Sequence, residues 1–166
     1  MKKLLSLAFS LASVLAFATP VEVNWGAKEE MPIKVARPFG GFLPNGDFIV
    51  AGGTDFSDGV KTYSRAIQVR FAADGKWALA NRELPHAVGE GVTCETPLGV
   101  FCGGGTDGKT VFKDAYFLTR DELEKLVDLP EPVAMGAAAS DGKVVYVVGG
   151  NKEWKLDLGA EKPEWA

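Results

Sequence analysis

Phe48-Ile49-Val50-Ala51-Gly52-Gly53-Thr54-Asp55 is a short apolar run closed by two glycines and a polar pair, and it recurs. Gly99-Val100-Phe101-Cys102 passes through Gly103 into Gly104-Gly105-Thr106-Asp107, and Val144-Val145-Tyr146-Val147-Val148 runs into Gly149-Gly150-Asn151. The glycine pairs start at 52, 104 and 149, at intervals of 52 and 45. Upstream, Met31-Pro32, Leu84-Pro85 and Leu129-Pro130 keep step at intervals of 53 and 45. Two independent markers on one period identify a structural repeat. Each unit carries a small-residue stretch and a turn before its glycine pair, with Asn45-Gly46 and Asp141-Gly142 in the first and third units favouring tight hairpins. After the pair, a polar loop leads into Tyr63 to Phe71, Ala115 to Leu118 or Trp154 to Leu158. Each unit therefore holds about four short strands. One twisted sheet of that size does not bury both faces, so neighbouring units must stack.

A period of about 45 to 50 with a diglycine after a strand, followed by aromatics such as Trp77, resembles the kelch pattern of β-propeller blades. The expected fold is all-β, a kelch-type propeller of about three four-stranded blades that leaves the ring incomplete. More specifically, Arg37-Pro38-Phe39-Gly40-Gly41-Phe42, Asp47 to Gly53, Tyr63-Ser64-Arg65-Ala66-Ile67, Gly75-Lys76-Trp77 and Glu83-Leu84-Pro85 resemble the bacterial N-acetylneuraminate epimerases, exported kelch mutarotases of sialic acid. The order of the units resembles the cyclically permuted mutarotase branch. The resemblance implies a ring of about six blades, whereas this sequence holds three units. It therefore implies a truncated or split member, or two chains completing one ring by twofold symmetry, with self-association or complementing blades as the partner expectation.

Lys2-Lys3 followed by the apolar run Leu4 to Phe17 and Ala16-Phe17-Ala18 reads as a secretory signal peptide over 1–18, with the partial propeller over 19–166 and a periplasmic or secreted product. No second apolar stretch long enough to span a bilayer follows, so no membrane partner is expected after cleavage. The formal net charge of −4 and isoelectric point of about 5.1 lack the basic footprint of a nucleic-acid binder. Export permits a disulfide, and the chain holds only Cys94 and Cys102, on either side of a turn at Pro97. They read either as a bridge across a hairpin or as two buried thiols.

Anomer exchange needs groups that take and give a proton, and an acidic sugar's carboxylate suits an arginine fork. Loops at the ends of inner strands are where a propeller presents such groups. Glu153, just after the third diglycine, is a candidate catalytic carboxylate near the position the resemblance implies, although the longer loop and its arginine are missing. Glu90, between Gly89 and Gly91, is the second, and reads equally as an ion-pair partner between blades. Arg37 suits a ligand carboxylate or backbone carbonyls between blades. Asp55 and Asp107, which follow threonines at matching places, read as substrate-binding candidates or, by their recurrence, as turn caps. Tyr63 and Tyr116 read as packed aromatics. His86, the only histidine, has no partner in sequence for a triad or a metal cage. No cofactor is implied, since neither a phosphate-cradling loop nor a metal-ligand cluster is present in the sequence. The expected ligand is a small sialic-acid-like sugar, and the competing readings are a noncatalytic glycan- or protein-binding module and an inactive gene fragment.

Overall fold

The computed structural model describes residues 29–166. The expected signal peptide over 1–18 lies outside the described residues. Among those described, no helix is long and apolar enough to cross a membrane, and every regular element is a strand. The first sheet runs β1 (Phe39–Phe42), β2 (Phe48–Ala51), β5 (Ala66–Arg70), β6 (Trp77–Glu83), with a small ribbon of β3 (Thr54–Asp55) and β4 (Thr62–Tyr63) inserted after β2. The second runs β7 (Val92–Thr96), β8 (Gly99–Gly103), β9 (Ala115–Leu118), β10 (Leu123–Lys125), and the third β11 (Ala137–Ser140), β12 (Val144–Gly149), β13 (Lys152–Asp157). All pairings are antiparallel between neighbours, the meander of a propeller blade.

Period-two alternation assigns each strand two faces. Ile49 and Ala51 of β2, with Ile67 and Val69 of β5, pack toward the second sheet, whose Val100, Cys102 and Leu118 meet them in one apolar cluster. On the opposite side of the second sheet, Phe101, Ala115 and Phe117 join Val145, Val147 and Leu156 of the third in another. Strand β8 is buried along its whole length because it lies between two neighbours, whereas β12 alternates because only one of its faces is covered.

The connectors hold the stack together. Leu84 and Leu129, from the Leu-Pro markers, are each 1% exposed. Gly53 N–H donates to the Val88 carbonyl (2.8 Å), and Gly105 N–H donates to that of Val133 (2.7 Å), so each diglycine binds the connector to the next sheet. At Gly52 and Gly104, φ is +66° and +63°, and a Cβ would overlap the Val88 or Val133 carbonyl oxygen. Glycine is required there both by conformation and by space.

Two expectations need correction. The third sheet has three strands rather than four: Gly150-Asn151 is a two-residue hairpin joining Gly149 to Lys152, which removes the polar loop. The fourth position is represented by a single bridge between Leu156 and Trp165, whose indole packs edge-on to Phe101 at 5.9 Å. The Cys94–Cys102 bridge is also excluded. Cys94 pairs with Phe101 and Cys102 with Thr93, so the two thiols point from opposite faces of the sheet into different clusters, and both are free. Burial raises both thiol pKa values, that of Cys94 to about 11.

Candidate functional site

Arg37, Glu90 and Met135 each stand two residues before the first strand of a sheet, at φ of 50°, 62° and 54°. They are the non-glycine residues with positive φ among the described residues, and their spacing of 53 and 45 is that of the repeat. Left-handed backbone costs an L-residue about 1–2 kcal/mol, so the surroundings must impose it. What imposes it is a backbone relay across the sheets: Glu90 N–H donates to the Arg37 carbonyl at 3.0 Å, and Met135 N–H donates to the Glu90 carbonyl at 2.6 Å. Three successive sheets thus converge on one line of hydrogen bonds.

The side chains at this convergence form a cluster. Glu90 is buried, 8% exposed, and its Oε1 accepts from Lys61 Nζ at 2.6 Å and from Arg37 Nη1 at 3.2 Å. Lys61 reaches it from the loop after the first diglycine and lies over the Tyr63 ring. The hydrogen bond from Lys61 outweighs the cost of burial and holds the Glu90 carboxyl below the ordinary carboxylate range, while the Lys61 ammonium is held above its own. Beside them, Arg37, Pro38, Glu90, Gly91, Met135 and Gly136 line a cavity of about 340 Å³. One anion between two cations leaves a local excess of positive charge, with Arg37 exposed to meet a ligand.

The other candidates lie elsewhere. Glu153 is on β13, opposite Val148, with its side chain 73% exposed and 4.0 Å from Lys155; it does not line this cavity. Asp55 accepts from the Ser57 hydroxyl and backbone N–H, and Asp107 from the N–H groups of Lys109 and Thr110, so each closes its own turn. Those bonds lower both carboxyl pKa values. His86 stacks on Phe112 at 4.1 Å, with Nε2 3.5 Å from Asp114, which also accepts from the Tyr116 hydroxyl. Arg37 and Glu90, singled out separately in the sequence, are brought together. Lys61 and Met135 were missed. Met135 was findable, since it follows Glu90 by the repeat interval of 45.

No family model matches the chain, and no curated protein matches it. Among solved structures it is similar to one titled "Structure of YjhT", with a TM-score of 0.73 and 14% sequence identity over 86% of this chain and 54% of that one. The chain thus spans about half the length of that neighbour. Likeness at this identity concerns the backbone, and it agrees with the stacked sheets and their converging inner strands: the protein has a kelch-type β-propeller fold like that of YjhT.

Proposed function

We propose that this is an exported carbohydrate-recognising kelch protein whose pocket at the convergence of the sheets takes an acidic sugar of the sialic acid class. The observation that carries the reading is the Glu90 carboxylate held by Lys61 and Arg37 at the wall of that cavity. A buried, ionised carboxylate is a strong acceptor for sugar hydroxyls, and the planar Arg37 fork suits a ligand carboxylate. The sequence resemblance to N-acetylneuraminate epimerases supplies the sugar class, and anomer exchange in a completed ring is the activity it implies.

A second reading, binding without catalysis, is favoured by the same ion pairs. Proton transfer works best with a group whose pKa lies near the operating pH, and Glu90 and Lys61 are both displaced away from neutrality. Titration of the full chain with N-acetylneuraminate and with neutral N-acetylmannosamine, followed by amide chemical shifts, tests recognition. The acidic sugar is expected to move Arg37, Glu90 and Met135, and Arg37→Ala to weaken its binding at least tenfold. Equal response to both sugars, or shifts confined to other residues, rejects the site. Anomer exchange of N-acetylneuraminate no faster than in buffer leaves the binding reading alone.

A further inference from the structure

The relay that joins the sheets has two open ends. Among the described residues, the Arg37 N–H has no backbone acceptor and the Met135 carbonyl no backbone donor, although Glu90 uses both of its groups. The two ends have the polarity of one missing step. The glycine pairs repeat the pattern: Gly53 and Gly105 each donate their N–H to the carbonyl of the next connector, whereas Gly150, at the same place in the third pair, has no backbone acceptor among the described residues. Val35 holds, in the first connector, the place of Val88 and Val133, at intervals of 53 and 45, and its carbonyl accepts no described backbone N–H.

The two outward sheet faces are complementary in the same sense, with only Val50 and Gln68 of the first already buried, the latter bonded to Ile33. The face of the third sheet turned away from the second carries Ala137, Ala139, Tyr146 and Val148 on its inner strands and Glu153, Lys155 and Asp157 on β13. The face of the first sheet turned away from the second carries Phe42, Phe48 and Trp77 in one aromatic row, interrupted by Arg70. The alanines of β11 thus confront the aromatic row. Arg70 is in no ion pair among the described residues, and the opposing strand offers two carboxylates. Within the chain the same front-to-back junction occurs twice, and one copy spans 54% of the solved neighbour, so two copies supply one such length.

We infer that a second copy of this chain covers both faces, head to tail, closing a ring of six sheets. In that ring Arg37 N–H of each copy donates to the Met135 carbonyl of the other, and Gly150 N–H of each donates to the other's Val35 carbonyl. The pocket is completed only then, because its Met135 side gains the second copy's Arg37. The junction is heterologous and closes by a twofold axis along the line where the sheets converge.

Sedimentation equilibrium of the full chain without ligand tests this separately from sugar recognition. The expected species has twice the mass of one chain. Val148 and Phe42 are 49% and 54% exposed, so Val148→Arg and Phe42→Glu leave each copy folded, as circular dichroism verifies, and each weakens association at least tenfold. Mixing the two variants restores a dimer, since the intact front of one meets the intact back of the other. A species of single-chain mass at all concentrations, a dimer indifferent to both substitutions, or a mixture that does not recover overturns the inference.

Discussion

Replacing Gly104 with alanine isolates the contact between a sheet and the connector that follows it. Gly59 is the control: it lies in the loop after β3 at φ +74°, and a Cβ there meets nothing within 4 Å. Gly59→Ala therefore carries only the left-handed backbone penalty, about 1–2 kcal/mol. Gly104 has the same class of φ, +63°, but its Cβ would also overlap the Val133 carbonyl, with the Phe112 carbonyl at 3.3 Å behind it. Both neighbours are backbone, and both belong to the hydrogen-bonded seam of Gly105 N–H to Val133 and Val133 N–H to Phe112. Relief requires moving that seam, and overpacking of this kind adds about 1–3 kcal/mol. The total is about 2–5 kcal/mol, a large part of a domain's usual stability. Urea unfolding read by tryptophan fluorescence measures the difference between the two variants. With a slope of about 1–3 kcal/mol per molar urea, it corresponds to a midpoint about 1 M lower for Gly104→Ala than for Gly59→Ala. Midpoints within about 0.2 M of each other would refute the reasoning, because the connector would then not press on the diglycine.

Gln68, 1% exposed, donates to the Ile33 carbonyl and accepts the Ile33 N–H, so Gln68→Ala leaves two backbone groups unpaired; about 1–3 kcal/mol is lost and exchange of the Ile33 amide accelerates, whereas unchanged exchange contradicts the tether. Both cysteines react with a thiol reagent in denaturant without prior reduction, and a count below two thiols per chain contradicts their placement on opposite faces. Because the native Glu90 carboxyl lies below its ordinary value of 4.5, its contribution to stability is complete above that pH and is lost as the pH falls through the lowered native value. Glu90→Gln accordingly flattens the acid limb of stability against pH below about 4.5, and an unchanged acid limb contradicts the ion pairs.

The architecture was legible because its markers are physical contacts. Leu84 and Leu129 recur because each is buried where a connector turns inward, and the diglycines recur because the next connector's carbonyl leaves no room for a Cβ. The third unit misled because the same dipeptide sits in a different turn: Gly149 ends β12, and Gly150-Asn151 is the whole connection to β13. For the cysteines, the hairpin was visible but its register was not, and a shift of one residue decides which face each thiol occupies. In the site, Arg37 and Glu90 were legible one at a time by their places beside proline and glycine, but their pairing depends on how far successive sheets rotate about the axis. Nothing distinguishes Lys61 in sequence from other loop lysines such as Lys109. It matters because of where the β3–β4 ribbon carries it, a consequence of tertiary packing.

The most direct test of the converging sheets is detection of scalar couplings across the relay hydrogen bonds, from Glu90 nitrogen to the Arg37 carbonyl carbon and from Met135 nitrogen to that of Glu90. Both couplings are expected in the native protein. Their absence under conditions where the couplings between β7 and β8 are seen would show that the sheets form separately and do not meet at a common axis.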